Sequence, residues 1–142
     1  MKQQIRKGVF ETNSSSTHSI TITEKETYEA WKKNKVLYCE DKNEFLETEK
    51  AIEKNLKMLI NDYDLESEYE EEELEALKSK YRETKSIEDA FEEIASDIEY
   101  YCLYVTYQEW VDHNLAYYED FVKNYTTKGG EKIVAFGYYG HD

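Results

Sequence analysis

The apolar residues of this chain keep two different periods. Toward both ends the pattern is that of strands: Ile20 and Ile22 alternate with threonines in "SITIT", and "KIVAFGYY" is a short apolar run. Between residues 42 and 101 apolar residues instead return every three or four positions. Side chains alternate across a strand but share a helix face at 3.6-residue spacing, so a change of period is a change of element. Strands at both ends of a helical middle predict an α+β fold. One small antiparallel sheet is drawn from N- and C-terminal strands, with about three to five helices packed on it or projecting from it. The 142 residues suit one domain, 1–142, with an acidic helical segment at about 42–101 inside it.

Element by element, residues 4–10 and 19–23 read as strands. "TEKE" at Thr23 is a Ser/Thr-x-x-Glu capping box that starts a helix reaching Trp31, and "KVLYC" is a third strand. Phe45, Ile52, Leu56, Leu59, Ile60 and Tyr63 fall on one face of a long helix beginning near Lys42. "SEYE" at Ser67 is a second capping box and predicts a helix over 68–82 with Leu74, Leu77 and Tyr81 as its stripe. Ser86 opens a stretch with Ile87, Phe91, Ile94, Ile98 and Tyr101 at helical spacing, and "TYQE" at Thr106 starts a short helix. The tail reads as a hairpin, arms 120–125 and 132–138, turning at Gly129-Gly130. "TYEAWKKNKVLY" from Thr27 and "TYQEWVDHNLAY" from Thr106 share Thr, Tyr, Trp and a final Tyr without gaps, an echo too short to build on.

Charge restricts the partners. A net −14 repels phosphate backbones and anionic membranes, so neither nucleic acid nor a membrane is the direct ligand, and a basic protein is favoured. The chain carries 14 tyrosines, whose hydroxyls seek water or a partner; many should lie half-exposed over the core. Cys39 and Cys102 have no metal-type spacing and read as reduced, buried thiols. "MKQQIRKG" lacks the apolar run of a signal peptide, and no stretch is long enough to span a membrane, so a cytoplasmic protein is expected.

Two segments are candidate sites. The first is the polar run 12–19, "TNSSSTHS". A wide hairpin loop explains it without a ligand, because Asn, Ser and Thr side chains bond neighbouring backbone. As an alternative, Asn13, Ser14, Ser15, Ser16, Thr17 and His18 could hold a phosphate or nucleotide, although the run has no glycine for close backbone approach. Nucleophilic catalysis lacks an evident base and orienting acid around Ser15 or Ser16, so no enzyme activity, cofactor or metal is expected.

The second is "DYDLESEYEEEELEAL", where Asp62, Asp64, Glu66, Glu68, Glu70, Glu71, Glu72, Glu73 and Glu75 follow one another with no Lys or Arg. With Ser67 as cap, Glu68 and Glu70 gain from the helix dipole. Glu68–Glu72 and Glu71–Glu75 are then like-charge i,i+4 pairs, each costing about 0.2–0.5 kcal/mol. A solvated face explains charge; a surface that binds Lys and Arg explains why the cost is kept. Tyr63, Tyr69 and Tyr81 flank the run as candidate interface anchors beside Asp64, Glu66, Glu68, Glu70, Glu71, Glu72, Glu73 and Glu75.

"IRKGVFETNSSSTHSITI" and the tail "TTKGGEKIVAFGYYG" resemble the two ends of small acidic accessory proteins of phages and prophages of low-GC Gram-positive bacteria. The opening follows the pattern R-x-G-V-F-E-T-N-S-S-S-T-H-S. No functional residues carry over. The resemblance implies a setting, the cytoplasm of a bacterial host, and a class of task, the inhibition of host defence, of which anti-CRISPR proteins are an example. Carboxylates on a helix can imitate a row of phosphates and block a basic nucleic-acid channel. The sequence therefore predicts a non-enzymatic, DNA-mimic-like inhibitor of a basic host nuclease, acting as monomer or homodimer. The alternatives are a ligand- or nucleotide-binding protein using 12–19, and a virion accessory protein.

Overall fold

The computed structural model describes residues 8–12, 16–115 and 119–141. Its contacts group the chain into two compact units, a terminal unit of Met1–Lys33 with Tyr107–Asp142 and a central unit of Asn34–Thr106.

The terminal unit is a four-stranded antiparallel sheet with two helices. Its strands are β1 (Gly8–Thr12), β2 (Ser16–Glu24), β5 (Glu119–Thr126) and β6 (Lys132–His141), in the order β1-β2-β6-β5. N- and C-terminal strands thus pair directly, from Ser16↔His141 to Glu24↔Ile133, as the patterning predicts. The β5–β6 turn closes where predicted: the Thr127 N–H donates to the Glu131 carbonyl at 2.8 Å, and Gly130 takes φ 87, which a side chain resists.

Helices α1 (Lys25–Lys32) and α6 (Tyr107–Leu115) pack on one face of this sheet. Trp31 and Trp110 sit 5.2 and 5.5 Å from the Phe136 ring, and 5.5 Å from each other. The echoed residues therefore meet: the Tyr28 hydroxyl donates to that of Tyr107 at 3.3 Å, and Trp31 touches Trp110. Opposed residues of an antiparallel pair share a face, so Thr21 and Thr23, opposite Phe136 and Val134, lie on the helix side and are buried. Ile20 and Ile22 do share a face, but it is the other one, and they are half-buried. Thr23 stays inside β2 and does not cap α1; the N-cap is Glu24, without a side-chain bond.

The central unit joins a two-stranded ribbon to a helical cluster. β3 (Val36–Cys39) pairs with β4 (Glu44–Glu47), and on its other side Tyr38 exchanges backbone bonds of 3.0 and 2.8 Å with Val105. The predicted long helix does not start at Lys42: Asn43 adopts φ 51 in a tight turn, and Phe45 stacks across the ribbon on Tyr38 at 4.7 Å. α2 (Thr48–Asp62) begins after it and buries Ala51, Ile52, Asn55, Leu56 and Leu59. Asp64 turns the chain with φ 49 into the single-turn α3 (Leu65–Glu68). α4 (Glu71–Thr84) follows, burying Leu74 and Tyr81 and closing on left-handed Lys85. Ser67 lies within α3, so the second predicted capping box does not form; Glu70 is the N-cap of α4.

Ser86 does cap the next helix, its Oγ accepting the Asp89 N–H at 3.2 Å, but α5 spans only Ile87–Ala90. The predicted stripe from Ile87 to Tyr101 is divided by 3-10 turns at Ala95–Asp97 and Tyr100–Cys102. Irregular turns bring Phe91, Ile98 and Leu103 into one core with Leu56, Leu59 and Leu74, while Tyr101 is left 47% exposed. Packing outweighs the spacing, because a short helix has little stability of its own.

Asn55 lies at the centre of this core, 0% exposed. Its Nδ2 donates to the Tyr81 hydroxyl and to the Tyr104 carbonyl, both at 2.7 Å, and its Oδ1 accepts the Tyr104 N–H at 2.9 Å. The amide thus replaces a strand partner for Tyr104 while tying α2 to α4.

Candidate functional site: an acidic face on the central unit

The charge is divided unevenly. Within Asn34–Thr106, 22 Asp and Glu stand against 9 Lys and Arg, a net −13; the terminal unit has 10 against 9, a net −1. Nearly the whole field of the protein thus originates from the central unit.

Asp62, Asp64, Glu66, Glu68, Glu70, Glu71, Glu72, Glu73 and Glu75 are all exposed there. They occupy the end of α2, the turn at Asp64, α3 and the first turns of α4. Glu71, Glu72 and Glu73 form the first turn of α4, where the helix dipole favours carboxylates. Because α4 begins at Glu71, Glu68 and Glu72 are not an i,i+4 pair of one helix, and the predicted repulsion reduces to Glu71–Glu75. Glu75 in turn pairs with Lys78 at 3.1 Å. Local stability therefore accounts for more of the run than the sequence implies.

A second acidic stretch was not singled out from sequence. Glu88, Asp89, Glu92, Glu93, Asp97 and Glu99 are exposed as well, and no Lys or Arg occurs from 86 to 122. That absence of cations is a readable signal. Folding brings Glu92 and Glu93 to α4, where with Glu73 they line a groove of about 310 Å³.

The three candidate tyrosines differ. Tyr81 is no surface anchor: it is 0% exposed, with its hydroxyl on Asn55 and its ring 5.8 Å from Phe91. The buried amide satisfies the hydroxyl that was expected to seek solvent. Tyr63 is half-buried; its hydroxyl accepts the Glu99 N–H at 3.0 Å and lies 3.2 Å from the Asp97 carbonyl. Tyr69, also half-buried, donates to Glu93 Oε2 at 3.1 Å. Burial, then the Glu93 carboxylate, raises its pKa above the ordinary phenol value. Tyr28, Tyr38 and Tyr104 are also buried, whereas Tyr100, Tyr107 and Tyr138 are half-buried like Tyr63 and Tyr69, as expected of many tyrosines here.

Thr12 belongs to β1, and Ser16, Thr17, His18 and Ser19 belong to β2, which pairs with both β1 and β6, so these five residues of the predicted wide loop 12–19 are strand. Asn13, Ser14 and Ser15 lie outside the described residues. Cys39 and Cys102 are free thiols; Cys39 is buried, whereas Cys102 is only partly so, and burial raises both pKa values. Among the described residues no three His, Cys, Asp or Glu converge to hold a metal ion, and no helix is long and apolar enough to cross a membrane. No family model, curated protein or solved structure matches the chain.

Proposed function

We propose that this protein is a non-enzymatic inhibitor whose central unit docks on the basic nucleic-acid-binding surface of a host defence protein. The target the phage-like ends favour is an RNA-guided CRISPR nuclease in the bacterial cytoplasm. The observation that carries this reading is the charge division, net −13 on the central unit against −1 on the terminal one. A field concentrated on one unit steers a basic partner to that unit, and exposed carboxylates compete with phosphates for the same Lys and Arg side chains. Asp64, Glu66, Glu68, Glu70, Glu71, Glu72, Glu73 and Glu75 supply the contacts, with Tyr69 beside them.

The test uses the full chain, immobilised and exposed to host lysate at low salt, then eluted with duplex DNA. Proteins that DNA displaces are identified, and their nuclease activity is titrated with the soluble chain. Inhibition should weaken steeply with salt. It should also weaken about tenfold or more in the combined Glu71→Gln, Glu72→Gln, Glu75→Gln variant if one or more charge pairs are desolvated. Equal inhibition by variant and parent makes the run a solvated face and ends the proposal.

A further inference from the structure

We infer that the groove between α4 and the segment around α5 receives an arginine side chain of a basic protein partner, an inference that rests on the acidic face being a partner surface. The groove has two chemically different parts. Its floor is apolar, with Leu77 half-buried and Phe91 1% exposed. Its rim carries Glu73, Glu92 and Glu93 against the one ammonium of Lys80. An arginine matches both, because its methylene stem and flat guanidinium face lie on apolar surface while its N–H fork grips carboxylates.

The rim is also held in place. The Tyr69 hydroxyl donates to Glu93 Oε2 at 3.1 Å, which fixes that carboxylate and leaves its other lone pairs for a guest. Three carboxylates against one ammonium leave the groove at −2, so a single entering cation is favoured and a second gains little. Lysine fits less well: its compact, strongly hydrated ammonium has no flat face to place on the half-buried Leu77.

The test compares labelled nona-arginine and nona-lysine peptides titrated into the full chain at low salt. Ala76 lines the groove from an exposed position on α4, so Ala76→Phe narrows the groove without changing charge. This variant should bind nona-arginine about tenfold more weakly and nona-lysine within about twofold of the parent. The combined Glu71→Gln, Glu72→Gln, Glu75→Gln variant should weaken both peptides, because it acts through the general field. Unchanged nona-arginine binding by Ala76→Phe, or equal loss of both peptides, overturns the arginine assignment. If the Gln variant still weakens both, the acidic face survives that result; if it weakens neither, the proposed function fails as well. A thermal melt checks the fold of Ala76→Phe. Should it be unfolded, Glu93→Gln takes its place, with a larger loss for nona-arginine than for nona-lysine expected and equal loss of both peptides refuting.

Discussion

Replacing Asn55 with leucine tests how the central unit is held together. The substitution keeps roughly the side-chain size and removes three hydrogen bonds, of 2.7, 2.7 and 2.9 Å. It leaves the Tyr104 N–H, the Tyr104 carbonyl and the Tyr81 hydroxyl without this partner in the buried core. The two Tyr104 backbone groups so stranded cost about 1–3 kcal/mol each and the lost bond to Tyr81 about 1 kcal/mol, about 3–7 kcal/mol together. Burying the leucine returns about 1.5–3 kcal/mol. Taken midpoint against midpoint, about 5 less about 2, the net loss is about 3 kcal/mol, a large share of the roughly 5–15 kcal/mol that holds a domain together. Urea denaturation followed by far-ultraviolet circular dichroism measures it. Trp31 and Trp110 both belong to the terminal unit, so tryptophan fluorescence is the wrong probe. A double-mutant cycle with Tyr81→Phe separates the bonds from general packing. Tyr81→Phe alone should cost about 1 kcal/mol, and in the Asn55→Leu background it should cost clearly less, because the bond between the two side chains is already gone. Asn55→Leu within about 0.5 kcal/mol of the parent, or additive effects in the cycle, refutes the reasoning.

Gly137→Ala should destabilise the terminal sheet. A Cβ there collides with the Ser19 carbonyl oxygen and comes within 3.1 Å of the Phe121 ring, so the β2 backbone must move. The loss should be about 1–3 kcal/mol, read as a lower midpoint by tryptophan fluorescence, and an unchanged midpoint contradicts the close approach. Alkaline pH should also unfold the protein. Burial pushes the Tyr28 and Tyr104 hydroxyls well above the ordinary phenol value of 10.0, with the Tyr107 hydroxyl adding to the shift at Tyr28. Their folded pKa values are raised, so this stability is complete below about pH 10 and is lost as pH rises beyond it and the unfolded chain ionises. The last part of the rise in phenolate absorbance should coincide with the loss of circular dichroism; full ionisation of all 14 tyrosines with the fold intact refutes this.

Local spacing by itself determined which residues share an element and a side. Ile20 and Ile22 share a face, Ile52, Leu56 and Leu59 share a stripe, and the glycine-turned tail is a hairpin, because strand and helix periods are properties of the backbone alone. The concentration of acid along the chain was legible for the same kind of reason: charge is carried by each residue wherever it folds. Spacing does not say which side is covered. Only the tertiary structure put Thr21 and Thr23 beneath the helices in place of the isoleucines, closed Tyr81 over Asn55, and broke the stripe after Ala90 into turns. Those outcomes depend on partners distant in sequence, such as Phe136 for Thr21 and Tyr104 for Asn55. Asn55 was hidden because an asparagine among lysines and glutamates looks solvated. Its place three residues after Ile52 on the buried stripe is the only local hint. The groove at Glu73 and Glu93 was hidden because its walls are twenty residues apart and meet only when α4 and α5 pack.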